Sequence, residues 1–508
     1  MYVRRKKNRS GKISVQVIDT SGSTDRLIKT IGSSSDSFEV EQLVEQAHRW
    51  MSDYTGQQAI ALEYEEDHRL LTAIHSSLRK VLLIGPDLIL GKLYDQIGFN
   101  AVGSDLLRHL VISRLVFPLS KLKTCEYLLR YQNVEVTPDQ IYRYMDRLQS
   151  SQKQQVQQIS YEHTLGLFKG QLSVVFYDVT TLYFEASDED DLRKAGFSKE
   201  GKHQHPQIVL GLLVSKYGYP LAFEMFEGNQ FEGHTMLPVL ESFRSTYRLA
   251  NLVVIADAGL MSKKNLEQLS EDGYEFIIGA RLKNETDQIQ EQLLSMPFKD
   301  GQSRAIPHPS GYRLIVSYAS SRARKDQKNR EKGLKKLEKK LSRGKLTKQH
   351  INNRGYNKYL KMEGNVNISI DYTKFKDDKK WDGLKGYLTN TKLSADQVID
   401  QYNELWQIEK AFRVSKTDLR IRPVYHRLPK RIESHLIIAF CAYKVYKELE
   451  RQLKNYQAEL SAEKAIEMMK TIYAITVQLP KSNQYKQIIF CDDLKQKHLL
   501  KLFDINTD

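Results

Sequence analysis

Five short apolar runs between residues 172 and 279 constrain the fold of this chain more than any other feature. They are Leu172–Asp178, Ile208–Val214, Pro220–Phe226, Asn251–Asp257 and Tyr274–Gly279. Each is too short for a helix and rich in β-branched or aromatic residues, the pattern of a strand buried on both faces. Helix-like segments lie between the later runs, near Thr235–Tyr247 and from about Ser262. Three strands in succession, then helix, strand, helix, strand, describe an α/β fold: a mixed sheet with helices packed on it. The full 508 residues exceed what one core usually holds, so two or more domains are expected.

The remainder divides by composition. Residues 1–60 read as a small β/α unit, with Val15–Ile18 and Leu27–Ile31 flanking the turn-rich Thr20–Thr24. Residues 61–168 read as mostly helical and as a DNA-binding region. Thr137, Pro138 and Gln140 form a helix-start signal with a capping box. Behind it Ile141, Met145 and Leu148 share one face, and Arg143 and Arg147 another. A preceding helix from Ser120 to about Tyr131 makes this pair resemble a helix-turn-helix, the alternative being a helical hairpin with solvated arginines. The sheet domain occupies 169–283 and 386–450, interrupted by a basic insertion at 284–385. A C-terminal helical region, 451–508, follows. Ser394 and Asp396 open a long helix running through about Val414, and Ile437–Leu449 is apolar enough to be buried.

Charge favours one class of partner. The chain carries a formal net charge of +15. Residues 322–361 alone hold 16 Lys/Arg and 3 Asp/Glu, so most of the surplus sits in forty residues. Leu334, Leu337 and Leu341 give part of this segment one apolar stripe. Such an arm is either solvated and self-repelling or a tracker of phosphates through Lys335, Lys336, Lys339 and Lys340. Polyanions are the matching ligands, nucleic acid first and an acidic membrane surface second. Three scattered cysteines and no C-x-x-C pair exclude a disulfide scaffold and a thiolate zinc site. The best apolar stretch, His435–Tyr443, is far below the roughly 20 residues a bilayer needs. No apolar segment follows the basic N-terminus, so a cytoplasmic protein is expected. Gly85–Leu93 has five residues between its glycines and lacks the Ser/Thr of a phosphate-binding loop. Lys202–His205 reads as a solvated loop, as does the acidic run Asp188–Asp191.

Asp178 and Asp257 each end or nearly end an apolar strand. A carboxylate there is costly unless solvated, paired or bound to a cation. Two on adjacent strands make a site for a hard divalent ion such as Mg²⁺. Holding two ions needs a third carboxylate. Glu409 is the candidate: Tyr402, Glu409 and Lys416 are seven apart and would form one stripe on a continuous helix, with Arg413 one turn from Glu409. The alternative is a surface ion-pair row.

These residues together resemble the DDE transposases of bacterial insertion sequences, the group with a ribonuclease-H-like core and a Y-(2)-R-(3)-E-(6)-K signature. Tyr402, Glu409 and Lys416 match that spacing. Phe176–Phe184 resembles the first-Asp strand, Val254–Gly259 the second, Gly228–Thr235 the segment between, and Gly383–Asn390 the strand before the Glu helix. The signature arginine is Leu405 here, so its phosphate contact falls to Lys410 or Arg413, or is missing. The resemblance implies that Asp178, Asp257 and Glu409 hold two Mg²⁺ ions (with Mn²⁺ as a substitute), and that Tyr402, Arg413 and Lys416 position the scissile phosphate. It further implies double-stranded DNA as partner (terminal inverted repeats and target), a homodimer in a synaptic complex, no membrane, and a nucleoid-associated bacterial location. Two alternatives stand beside it: a metal-dependent endonuclease that never joins ends, and a non-catalytic DNA-binding regulator.

Overall fold

The computed structural model describes residues 1–508 except 23, 56–62, 149, 171, 186–187, 197–203, 248, 250–251, 261, 353–354, 364–366, 480–481, 492 and 507–508. Lys202 and His203 of the Lys202–His205 segment lie outside the described residues. The chain forms two compact units, residues 1–80 with 475–488, and 81–474 with 489–508. In the first, strands Tyr2–Lys7, Ile13–Asp19 and Arg26–Ser34 form an antiparallel sheet, with the helix Ser37–Thr55 packed on it. Val15, Val17, Val40 and Ala47 are its buried centre.

The second unit is built on an eight-stranded sheet. Its strands are β1 Val174–Tyr183, β2 Gln207–Ser215, β3 Pro220–Glu227, β4 Val253–Ala256, β5 Glu275–Ala280, β6 Ser303–Pro307, β7 Arg313–Tyr318 and β8 Leu384–Thr389. They lie in the order β6-β7-β8-β5-β4-β1-β2-β3. β1 to β3 form an antiparallel meander, and β4 and β5 then add parallel to β1. Helices Met236–Tyr247 and Lys263–Glu271 make the two crossovers that parallel pairing requires. This is the ribonuclease-H-like mixed sheet flanked by helices.

Alternation along the strands divides the core into two layers. Phe176, Leu182, Leu212, Ile255 and Ile277 face one side, with Ile408, Phe412 and the long helix Pro429–Asn455. The helices between Lys92 and Arg147 bury Leu107, Val111, Ile141 and Met145 in that same layer. Val175, Tyr177, Val254, Phe276 and Ile278 face the other side, under the crossover helices. Each fully buried Leu, Ile or Phe is worth about 1.5–3 kcal/mol, so every strand of the sheet's centre is anchored from both faces.

The interruption at 284–385 is not wholly apart from the sheet. Its strands β6 and β7 extend it past β8, which closes antiparallel on β5. The basic segment forms a helix, Ser320–Ser342, seated on a small core of Leu337, Tyr359, Leu360 and Ile370. Leu334 packs there too, but Leu341 is exposed, so the apolar stripe stops one turn early.

Three local expectations are corrected. Asp178 lies in the middle of β1, because pairing with β2 carries that strand on to Tyr183, beyond the end of β4. The helix expected from Ser394 to Val414 is two, Ala395–Asn403 and Trp406–Thr417. Between them, Leu405 and Ile408 donate N–H to Tyr402 and Leu405 three residues back, a tight turn that brings Leu405 into the core. The C-terminal region is not all helical, since Tyr473–Gln478 and Tyr485–Phe490 are strands whose partly exposed residues carry little apolar signal.

Candidate active site

Parallel pairing sets the two aspartate-bearing segments side by side. Phe176 of β1 is level with Ile255 of β4. Two residues on along each chain come Asp178, still within β1, and Asp257, just past the end of β4. Both are half-buried. One oxygen of each is held by local backbone: the Val179 N–H donates to Asp178 Oδ1 at 2.8 Å, and the Gly259 N–H to Asp257 Oδ1 at 2.7 Å.

The helix Trp406–Thr417 packs on β1 and β2, and presents Glu409 on its exposed side. The helix before it, Ala395–Asn403, packs on β4, β5 and β8 and buries Tyr402. The Tyr402 hydroxyl rests on Gly279 of β5, where a Cβ would lie 2.5 Å from it. Gly279 follows Ile278, the register partner of Ala256, so this hydroxyl rests on β5 one residue past the last pair with β4. Burial pushes the Tyr402 phenol well above its usual pKa, and the charges of Asp257, Glu409 and Asp178 push it the same way. One buried hydroxyl therefore feels all three carboxylates.

A cation completes the group. Lys385 of β8 places its Nζ 4.5 Å from the Tyr402 ring centre and 5.2 Å from that of Tyr387. The two rings meet edge to face at 4.8 Å. Burial lowers the Lys385 pKa and the nearby Arg322 guanidinium lowers it further, against the pull of Glu409. Nothing in the sequence singled out Lys385 or Arg322. The available signal was alternation, because Lys385 and Tyr387 share one face of β8, and a lysine there is not on a solvent face.

The other basic candidates are dispersed. Lys410 is ion-paired with Glu450 of the long helix, away from Glu409's exposed side. Arg413 is exposed and offsets the raised carboxyl of Asp418, which burial and then Glu463 push up. Lys416 lies 5.8 Å from the Phe412 ring. Leu405, in place of the signature arginine, is buried in the apolar layer beside the sheet. Arg143 and Arg147 are exposed on the helix Pro138–Arg147, whose Thr137 capping box forms as expected, and line an open groove of about 800 Å³ with His109, Gln140 and Asp146. That helix is tied to Pro429–Asn455 by Arg431 gripping Asp146 at 2.7 and 2.8 Å. Lys335, Lys336, Lys339 and Lys340 are all exposed on Ser320–Ser342.

The hard oxygen donors of Asp178, in β1, and Asp257, just past the end of the adjacent β4, suit a divalent cation. Among the described residues, however, no three acids, histidines or cysteines close around one point. Among the described residues, no helix is long and apolar enough to cross a membrane.

A family model described as "Transposase DDE domain" matches residues 169–444. Among solved structures the chain is similar to a piggyBac transposase synaptic complex with hairpin DNA, at 10% identity over 76% of this chain and 79% of that one, TM-score 0.38. It is also similar to the Mos1 transposase paired-end complex with the left transposon end, at 10% identity over 31% of this chain and 53% of that one, TM-score 0.16. A Mos1 mariner paired-end complex with Mn matches at 11% identity over 31% and 54%, TM-score 0.15. No curated protein matches.

Proposed function

The chain belongs to the DDE transposase family, and from that premise we propose that it cuts DNA at the terminal inverted repeats of an insertion sequence and joins the freed 3′-OH ends to target DNA. The observation that carries this reading is the adjacency of β1 and β4, the strands that lead to Asp178 and Asp257, with the Glu409 helix packed on β1. These three residues would hold two Mg²⁺ ions, or Mn²⁺ in their place. When bound, divalent ions supply Lewis-acid activation of the attacking oxygen and charge stabilisation of the leaving 3′-oxygen.

The chain's own residues do the rest. Backbone N–H groups hold one oxygen of each aspartate, so both carboxylates keep a fixed direction. Tyr402, kept protonated by burial and by its acidic neighbours, offers a neutral hydroxyl near Asp257 rather than an added charge. Arg413 and Lys416, further along the Glu409 helix, steady the DNA flanking the cut. The exposed lysines of Ser320–Ser342 hold the duplex by its phosphates, with a grip that weakens as salt rises. Arg143 and Arg147 contact the DNA end. A homodimer pairs two ends, and the work is done on double-stranded DNA at the bacterial nucleoid.

The decisive test uses linear DNA made from the sequences flanking the coding region, with Mg²⁺. Asp178→Ala, Asp257→Ala and Glu409→Ala are each expected to abolish cutting while DNA binding stays close to wild type. Near-normal cutting by any one of them would remove that residue from the site. Supplying pre-cut 3′-OH ends then separates the readings, because joined product marks a transposase, cutting alone an endonuclease, and neither a DNA-binding regulator.

A further inference from the structure

Lys385 is a cation the proposed chemistry has not yet used, and its surroundings say what it awaits. It is half-buried, its ammonium held over two aromatic faces, at 4.5 Å from Tyr402 and 5.2 Å from Tyr387. Among the described residues no carboxylate stands within ion-pair distance of it. Glu409 acts on it only at longer range. A buried ammonium without a direct ion-pair partner is costly, and cation–π contact offsets only part of that cost. Its position is fixed from behind: Tyr387 pairs with Gly279, and Gly386, on the opposite face, is pressed against Leu282. The strand therefore holds Lys385 against the Tyr402 ring, within the electrostatic reach of Glu409.

A phosphodiester entering this group brings one negative charge against three carboxylates. It needs cations that belong to the protein as well as any ions the acids carry. The residue at the signature arginine position cannot help, since Leu405 is buried in the apolar layer, and Lys410 is paired with Glu450. Lys385 is the lysine that geometry supplies. Behind it stands Arg322, in the first turn of the basic helix, held only loosely by Asp326 at 3.6 Å. From there cations continue outward along Ser320–Ser342.

We propose that Lys385 contacts the phosphate being cut, acting as a catalytic residue, and that Arg322 extends this contact to the next phosphate toward the basic helix. The inference rests on the transposase reading. It predicts a step in which Lys385 holds a non-bridging oxygen and neutralises charge as the attacking oxygen closes on phosphorus. The lysine gives up no proton and forms no bond.

The test uses the full chain and the same flanking-DNA duplex in single-turnover cleavage with Mg²⁺, with binding read separately in Ca²⁺. Lys385→Met keeps the aliphatic stem between the rings and removes the charge. It should cut roughly 100-fold more slowly, with binding and melting temperature nearly unchanged, and Lys385→Arg should recover most of the loss. When a neutral methylphosphonate replaces the scissile phosphate, wild type and Lys385→Met should be equally slow, because the charge that Lys385 reads is gone. Wild-type cutting by Lys385→Met would overturn the proposal. So would tighter Mn²⁺ binding with undiminished cutting, which would make Lys385 a placeholder for the ions. A lowered melting temperature that Lys385→Arg does not restore would make it a packing residue and overturn the proposal equally. If wild type itself cuts nothing, the transposase reading fails first and this inference goes with it.

Discussion

A methyl group on Gly279 would approach the Tyr402 hydroxyl to 2.5 Å and the Ala258 nitrogen to 3.2 Å. Neither neighbour is a loose side-chain end, since the tyrosine is clamped against Tyr387 and the other atom is backbone. Gly279→Ala should therefore push the Tyr402 hydroxyl off β5 and slow cutting about tenfold, with a stability loss of about 1–3 kcal/mol from overpacking. Single-turnover rates and a denaturant melt on the same protein check both halves. Residues at this scale were unevenly legible. Asp178 and Asp257 drew notice because an acid on an apolar strand demands a reason, and Glu409 because of its spacing from Tyr402 and Lys416. Gly279 and Lys385 did not, because a glycine or a lysine in a strand is unremarkable until its neighbours across the sheet are known.

At the scale of elements, the five apolar runs became β1 to β5 nearly as read, because strands buried on both faces announce themselves by composition alone. The heptad from Tyr402 to Lys416 was also visible, but not the tight turn that splits its helix. That turn is set by Leu405 seeking the core, a tertiary cause. The insertion's attachment was equally hidden. Asp378 receives Lys283 at 2.8 Å, Tyr359 at 2.6 Å and Lys358, joining the segment after β5 to the small core under the basic helix. Burial alone would raise its pKa, but these three donors outweigh burial and hold the carboxyl well below its usual range. A depressed carboxylate stabilises the fold above its unfolded pKa of about 3.9, and that contribution is lost as pH falls further. Asp378→Asn should accordingly lower the melting temperature at pH 7, by an amount equivalent to about 2 kcal/mol, and the gap to wild type should narrow below about pH 4. On the basic helix, replacing Lys335, Lys336, Lys339 and Lys340 with Gln should reduce the slope of log affinity against log salt by up to about 4. An unchanged slope would free that helix from any phosphate contact.

Across the whole molecule, sequence reading falls shortest, because local pattern shows that a helix has an apolar face but not what covers it. The helices between Lys92 and Arg147 read as a region of their own, yet Leu107, Val111, Ile141 and Met145 lie in one layer with Phe176, Ile255 and the long helix. The sheet itself is completed by a strand that returns after more than one hundred residues. β8 closes on β5 through backbone pairing, and three side-chain bonds reinforce the seam. Thr389 Oγ1 donates to the Phe276 carbonyl at 2.6 Å, Asn390 Nδ2 to that of Tyr274 at 2.9 Å, and Asn390 Oδ1 accepts from the Phe276 N–H at 2.8 Å. This seam has a practical consequence. The peptide link through the exposed turn at Arg343–Lys345 is not what holds the two sides together. Two separately encoded polypeptides, 1–343 and 344–508, should copurify when made together and cut DNA, while neither does so alone. The first would carry both aspartates and the second the glutamate, making activity a reporter of reassembly.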